Sequence, residues 1–185
     1  ANIADYLLAL GGIHVGGTSD PGTDNLIVDG TTLATGKITS TAGITFGSDT
    51  AAANTLHDYE EGTWTPTVND SGTISSITSA TYVKIGSYVY LTANLIQIQE
   101  DATKTSDFYI SGLPFTVKNS SVSGNVMMRT ANFVHTPVNL TTYVTTAEAI
   151  YIYETIDNAA YDPITWADLK DDDYILFQTM YMTDQ

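Results

Sequence analysis

The chain of 185 residues carries 21 acidic and only 6 basic side chains, which gives a formal net charge of −15. This charge repels nucleic acid and anionic lipid, so neither is expected as a partner. The sequence has no cysteine, which excludes disulfides and thiolate metal sites, and its apolar runs are too short for a membrane-spanning helix. The chain starts at Ala1 without a Met or a signal-peptide pattern, and we expect it to be a processed product or a fragment.

Residues 1–56 are predicted to form a separate N-terminal segment. Residues 3–10 contain good helix formers and are followed by two glycines, which favours a short helix over a strand. Brief apolar pieces separated by glycines come next, and each has room for only a very short strand. They are Ile13–Val15, Leu26–Val28, Lys37–Thr39 and Ile44–Phe46.

These short strands need partners from outside their own chain, because an isolated small hairpin is only marginally stable in water. We therefore predict a thin β stalk in which three chains wind around one axis as a homotrimer. The trimer would bury the apolar side chains that recur along the segment, which are Leu26, Val28, Leu33, Ile38, Ile44 and Phe46. A flexible linker is the alternative, although regularly spaced Ile, Leu and Val are unusual in such linkers.

A junction at residues 57–68 separates this stalk from a second domain, predicted to cover residues 57–185. The acidic side chains of the junction, Asp58, Glu60 and Glu61, are expected to stay in water. Trp64 is predicted to anchor the chain in an apolar floor, since a large aromatic ring gains most from burial. Pro66 cannot donate to a central sheet position, so residues 63–68 are predicted to be an edge strand.

The second domain is predicted to be mainly β. Residues 81–98 contain two alternating runs broken at Gly86 and Ser87, which indicates a hairpin or a bulged strand. One face would carry Val83 and Ile85 in the first run and Val89, Leu91, Ala93 and Leu95 in the second. Further strands are predicted at residues 107–110, 123–130, 147–153 and 174–181. A helical turn or two is predicted at residues 164–169, with Asp162 as N-cap. Short strands without βαβ spacing favour an antiparallel β-sandwich, jelly-roll-like in type.

Three segments resemble the C-terminal domains of tail-fibre, tailspike and head-fibre proteins of tailed bacteriophages and related viruses. They are Asp-Tyr-Glu-Glu-Gly-Thr-Trp-Thr-Pro at residues 58–66, Tyr-Val-Lys-Ile-Gly at residues 82–86, and Ile-Ser-Gly-Leu-Pro-Phe at residues 110–115. Residues 12–17 and 24–30 resemble the stalks of such fibres. The resemblance implies a trimeric fibre or spike on the virion surface, joined to virion structural proteins and attaching to a host cell-surface polysaccharide.

Metal and catalytic chemistry find little support in the sequence. Asp168, Asp171, Asp172 and Asp173 form an acidic cluster, but a solvated turn is favoured over Ca²⁺ because EF-hand spacing is absent. The histidines at positions 14, 57 and 135 have no metal-ligand spacing, and no Gly-x-Ser-x-Gly motif occurs. We therefore predict no cofactor and no enzymatic activity. An accessory module of a polysaccharide depolymerase is the enzymatic alternative.

Aromatic residues give the better indication of binding, since 12 Tyr and 2 Trp suit stacking on sugar rings. The candidate ligand-binding residues are Tyr88, Tyr90, Tyr151, Tyr153, Tyr161 and Trp166. Packing within the sheet or at a subunit interface is the alternative for each of them. The sequence therefore predicts host-surface attachment through carbohydrate. A purely structural trimerisation or capsid-decoration protein is the alternative function.

Overall fold

The computed structural model describes residues 13–18, 25–46, 55–56, 58–99, 103–129, 131, 133, 135–170 and 172–184. The chain divides into two compact units, Ala1–Thr41 and Ala42–Gln185. The helix predicted at residues 3–10 lies outside the described residues. The domain boundary predicted between residues 56 and 57 stays a prediction.

The first unit contains a parallel pair of short strands, β1 (Ile13–Val15) and β2 (Leu26–Val28). Both strands are confirmed, whereas the strand predicted at residues 37–39 is wrong, because that stretch is exposed and not paired as a strand. His14 Nε2 lies 2.7 Å from Asp29 Oδ2 just beyond the pair. Leu33 and Ile38 are 86% and 73% exposed, so this unit alone does not bury them.

The second unit is mainly β. Its strands are β3 (Ile44–Thr45), β4 (Thr55–Leu56), β5 (Tyr59–Thr63), β6 (Thr67–Val68), β7 (Thr73–Ile85), β8 (Tyr88–Gln99), β9 (Tyr109–Ser111), β10 (Ser121–Arg129), β11 (Pro137–Val144), β12 (Ile150–Ile156), β13 (Asp162–Pro163) and β14 (Asp173–Met182). Strands β3 and β4 form a small antiparallel pair. The others form one antiparallel sheet of 10 strands in the order β5-β7-β8-β14-β10-β11-β12-β9-β6, with β13 beside β12.

Strand β10 makes this sheet curl, because its two halves pair with different neighbours. Residues 121–125 run beside β11, whereas residues 126–129 run beside β14. Gly124 lies at the change of partner, and a Cβ atom there would collide with the Gln178 carbonyl oxygen. The bend brings β11 close to β14, where Thr142 Oγ1 donates to Thr179 Oγ1 at 2.7 Å in the interior. The two halves of the sheet therefore enclose a common core, as in a β-sandwich.

The two ends of the sheet meet at the junction segment. Strand β5 pairs with β7 at one end and β6 pairs with β9 at the other, with only residues 64–66 between them. Trp64 is 7% exposed, and its indole Nε1 donates to the Thr92 carbonyl oxygen at 3.1 Å. The predicted anchor is therefore confirmed. The single edge strand predicted at residues 63–68 is wrong, because the chain leaves β7 at Trp64 and crosses to β9.

Apolar side chains from both halves of the sheet fill the core. They include Val89, Leu91, Leu95, Phe108, Ile110, Ile150, Ile152, Ile164, Trp166, Ile175, Phe177 and Tyr181. Within each half, aromatic rings pack edge to face, with centroids 5.0 Å apart for Phe108 and Trp166 and 6.3 Å apart for Trp64 and Phe177. This core decides which residues of each strand point outward.

The predicted hairpin forms from β7 and β8, and its turn sets the faces of both strands. Ile85 pairs with Tyr88 across the turn, so Lys84 pairs with the buried Val89 and points inward. The buried face predicted for β8 is confirmed. Val83 and Ile85 share a face with each other as predicted, but it is not the buried face of β8, because they pair with the outward Tyr90 and Tyr88.

Lys84 is buried and ion-paired instead of exposed. Its ammonium group contacts the Asp58 carboxylate, lies 3.8 Å from Glu60 Oε1, and sits 5.4 Å from the Phe115 ring centre. Glu60 and Glu61 are exposed as predicted, whereas Asp58 is partly withdrawn from water by this pair. Removing either partner would leave a charge without its counter-ion in a poorly hydrated place.

The strands predicted at residues 107–110, 123–130, 147–153 and 174–181 correspond to β9, β10, β12 and β14. Strand β11 was not predicted, and it completes the second half of the sheet. The helix predicted at residues 164–169 is reduced to a 3₁₀ turn at Trp166–Asp168. The Ile164 N–H donates to the Ile152 carbonyl oxygen at 2.9 Å, so Ile164 is hydrogen-bonded to β12 and is not part of a helix. Thr165, and not Asp162, is the N-cap.

Candidate functional site

The outer face of β9, β12 and β11 carries a group of neighbouring tyrosines. Along β12, alternate side chains are buried in the core, so Tyr151 and Tyr153 point outward. Strand pairing places Tyr109 of β9 and Tyr143 of β11 on either side of Tyr151. Tyr161 reaches the same place from the segment after β12. We call Tyr109, Tyr143, Tyr151, Tyr153 and Tyr161 the tyrosine face.

The rings of the tyrosine face contact one another in two different ways. Tyr109 and Tyr151 have centroids 5.3 Å apart and planes tilted by 43°. Tyr143 and Tyr153 meet at 5.7 Å and 87°, and Tyr153 and Tyr161 meet at 5.5 Å and 72°. Each ring is thus held by a neighbouring ring before any ligand arrives, which reduces the entropy that binding must remove.

A groove of about 490 Å³ opens beside these rings. Thr141, Tyr143, Tyr153, Thr155 and Tyr161 line it. Thr141 Oγ1 donates to the Gly124 carbonyl oxygen at 3.0 Å, which ties the groove floor to the bend of β10. Its size falls in the range of small-ligand sites, and its lining combines aromatic rings with a few hydroxyl groups.

Two tyrosines of the tyrosine face, Tyr151 and Tyr153, have raised pKa values. Burial raises the pKa of Tyr151 above its ordinary value, and the nearby Tyr109 and Asp107 raise it further. The pKa of Tyr153 is raised by burial first and then by Asp107, Tyr143, Tyr161 and Tyr151. The phenol groups of Tyr151 and Tyr153 therefore stay neutral at physiological pH and can act as hydrogen-bond donors and acceptors.

Three of the predicted ligand-binding residues, Tyr151, Tyr153 and Tyr161, come together in this site. Sequence reasoning missed Tyr109 and Tyr143. Tyr143 belongs to the strand that was not predicted, although the Val, Thr and Tyr content of residues 137–144 was a usable β signal. Tyr109 alternates with the buried Phe108 and Ile110, which was a signal for an outward ring.

Trp166 does not belong to the site, and its prediction as a ligand-binding residue is corrected here. It is fully buried against Phe108, and a Cβ atom on Gly72 would collide with its ring. Lys104 Nζ lies 5.6 Å from its ring centre. A ring enclosed in this way packs the core and offers no face to a ligand.

Tyr88 and Tyr90 lie on a different surface, the outer face of β5, β7, β8 and β14. Tyr59, Ile85 and Tyr88 are consecutive cross-strand neighbours there, and Tyr90 lies between Val83 and Met180. The exposed fractions are 56% for Tyr59, 53% for Ile85, 55% for Tyr88, 40% for Tyr90 and 42% for Met180. We call these five residues the hairpin face. Strands β14, β10 and β11 separate its strand β8 from β12 in the sheet order.

The acidic residues near the end of the chain serve local structure where they are described. Asp168 Oδ2 accepts from the Thr165 N–H and Oγ1, both at 2.8 Å, and Asp173 Oδ2 accepts from the Lys170 N–H at 2.9 Å. Asp171 lies outside the described residues. Over the described ranges, no three His, Cys, Asp or Glu side chains are grouped in a way that would hold a metal ion. No helix within those ranges is long and apolar enough to cross a membrane.

Comparison of the chain with protein-family models, with curated protein sequences and with solved structures gives no match.

Proposed function

We propose that the protein attaches to a host cell surface by binding carbohydrate at the tyrosine face. The observation that carries the proposal is a contiguous set of ring contacts, Tyr109 to Tyr151 and Tyr143 to Tyr153 to Tyr161, beside a groove. Sugar rings present apolar C–H faces that pack on aromatic rings, while phenol and threonine hydroxyls can bond to sugar hydroxyls.

The wider proposal is a viral fibre or spike protein that is displayed on the virion surface as a homotrimer with jelly-roll-like sandwich domains. Support comes from the resemblance at residues 58–66, 82–86 and 110–115. It also comes from exposed apolar side chains at Leu26 and Phe46, which are 64% and 69% exposed in one chain. Three linked tyrosine faces would raise avidity over a single site by about 10²–10⁴.

We assign binding without catalysis to the groove. Glycoside hydrolysis requires two carboxylic acids across the scissile bond. The described residues that line the groove are threonines and tyrosines. Glu154 lies on the same strand, but its side chain points to the interior, with Oε1 held 2.7 Å from His135 Nδ1.

The direct test is an array of bacterial surface polysaccharides probed with the purified full chain. Binding to at least one polysaccharide is expected. It should persist when salt rises from about 0.05 M to about 0.5 M, because ring packing is not screened. Failure to bind any polysaccharide, or loss of all binding in moderate salt, would contradict the proposal.

A structural assembly role is the second candidate, and the hairpin face favours it. Five exposed uncharged side chains are neighbours there on a chain of net charge −15, with Glu61 beside them as the acceptor of the Tyr59 hydroxyl at 2.9 Å. Contiguous apolar surface of several hundred Å² is typical of contact with another protein. A protein that binds no polysaccharide and associates through Tyr88 and Tyr90 would be a trimerisation or capsid-decoration protein.

A further inference from the structure

The tyrosine face contains two geometries that suit two different ligand groups. The rings of Tyr109 and Tyr151 lie on the outside of the sheet and are tilted by only 43°, which suits a sugar that stacks on both. Tyr143, Tyr153 and Tyr161 instead form a corner of rings meeting at 87° and 72°. Rings set nearly at right angles surround a rounded group better than a flat one.

We infer that this corner binds a quaternary ammonium group carried by the surface polymer. The inference rests on the proposed function, because the polymer that stacks on the tyrosine face is the molecule that would bring the cation to the groove. Ring faces hold negative quadrupole potential, and aromatic cages recognise quaternary ammonium groups through it.

The charges around the corner fit a cation. All five residues that line the groove have neutral side chains, so no cationic group in this lining opposes a bound cation. The basic residues with described contacts lie elsewhere: Lys84 beside Asp58, Lys118 beside Asp184, Arg129 over Tyr174 and Lys104 over Trp166. The net charge of −15 adds a long-range attraction for cations.

The lining of the groove favours a quaternary over a primary ammonium. A primary ammonium brings three N–H donors that need acceptors once water is removed. Among the described residues, the groove is lined by the hydroxyl groups of two threonines and three tyrosines, and no carboxylate in this lining can form a charge-assisted hydrogen bond with those donors. A trimethylammonium group has no N–H donors, and its methyl groups can rest directly on ring faces.

The test is calorimetric titration of the full chain with choline, with ethanolamine, and with 3,3-dimethylbutan-1-ol, an uncharged molecule of the same shape as choline. Choline should bind about tenfold more tightly than the neutral isostere, the ratio expected when two or three rings each contribute a cation–π contact. Ethanolamine should also bind more weakly than choline. Equal affinity for choline and the isostere, equal affinity for ethanolamine, or no binding of choline would each overturn the inference.

Tyr161 provides matched variants, because it is 72% exposed and its replacement leaves the core intact. Tyr161→Leu should weaken choline about fivefold, whereas Tyr161→Phe, which keeps the ring, should stay within about twofold of the wild type. Equal weakening by both variants would overturn the cation–π account. Tyr88→Leu on the hairpin face serves as the unaffected control.

The same preparations separate this inference from the proposed function. Polysaccharide binding without choline binding would overturn the inference and leave the proposed function standing. Choline binding with no polysaccharide bound would sustain the cation site and overturn the proposed function. Competition between choline and a bound polysaccharide would support both.

Discussion

The tyrosine face and the hairpin face are both outward surfaces of one sheet, and both are rich in tyrosine. They differ in how their rings are supported. Tyr143, Tyr151 and Tyr153 are half-buried and contact other rings, whereas Tyr88 and Tyr90 make no ring pair within the described part of the chain. Tyr90 is held by its hydroxyl, which donates to the Gln178 side-chain oxygen.

This difference indicates that an outward tyrosine acquires a role from its neighbours and not from its own exposure. Rings that hold one another form a preorganised site for a small group, since little side-chain entropy remains to be lost. Rings that stand singly beside Ile85 and Met180 form an exposed, mainly apolar surface, which another protein can cover. We therefore propose ligand binding for the tyrosine face and assembly for the hairpin face.

The largest expected effect comes from Trp64, which is buried in the core between β5 and β6, where the two ends of the sheet meet. Trp64→Ala should reduce the free energy of unfolding by about 3–5 kcal/mol, as large truncations in a core do. Chemical denaturation measures this directly. The exposed control Tyr161→Ala should change it by no more than about 0.5 kcal/mol. A loss at Trp64 as small as the control's would mean that the two faces do not share this anchor.

The next effect concerns assembly, and it isolates the hairpin face. Replacing both Tyr88 and Tyr90 with Lys places two cations on this surface, and self-association would have to desolvate them. The subunit dissociation constant should rise at least about tenfold, measured by analytical ultracentrifugation. The matched change of Tyr151 and Tyr153 to Lys should leave assembly unchanged. The opposite result would exchange the roles assigned to the two faces.

The smallest effect is a loss of stability at alkaline pH. It arises from the buried Tyr181 and from Tyr151 and Tyr153 of the tyrosine face. Burial raises the pKa of Tyr181 well above its ordinary value of 10.0, although the Phe115 N–H donates to the Tyr181 hydroxyl oxygen at 3.3 Å and opposes this rise. The pKa values of Tyr151 and Tyr153 are raised as well. The unfolded chain therefore releases these protons first, so the stabilisation is complete below pH 10 and declines above it.

One such group lowers the free energy of unfolding by at most about 1.4 kcal/mol per pH unit above its unfolded pKa. Urea denaturation between about pH 8 and about pH 12 would measure the decline. Tyr181→Phe should make the curve flatter, because that variant has no phenol to ionise at this position. An unchanged slope in the variant would remove Tyr181 from the explanation.

Much of the sheet was predictable because alternation and turn residues are local signals. Strands β8, β12 and β14 follow from period-two patterns, and Trp64 follows from the composition of the junction. Which side chains of β7 point toward the core was not predictable from that strand's own residues, since it depends on the pairing of Ile85 with Tyr88 across the turn. The passage of the chain from one end of the sheet (β5) to the other (β6) was also not predictable, because it depends on where the two ends of the sheet meet.

The site was predicted in part, for a similar reason. Tyr151, Tyr153 and Tyr161 were each predicted as ligand-binding residues, although the sequence did not group Tyr161 with the other two. Tyr109 and Tyr143 join them only through strand pairing over long sequence separations. Trp166 was misplaced because a short sequence window does not show whether a Trp beside a turn faces water or the core.

The most direct measurement of the central claim compares two double variants on one bound polysaccharide. One carries Tyr151→Leu and Tyr153→Leu, and the other carries Tyr88→Leu and Tyr90→Leu, with folding checked by circular dichroism. We predict that the first variant loses at least about tenfold in affinity, equivalent to about 1.4 kcal/mol, while the second retains wild-type affinity per subunit. Loss of affinity in the second variant with none in the first would contradict the assignment of carbohydrate binding to the tyrosine face.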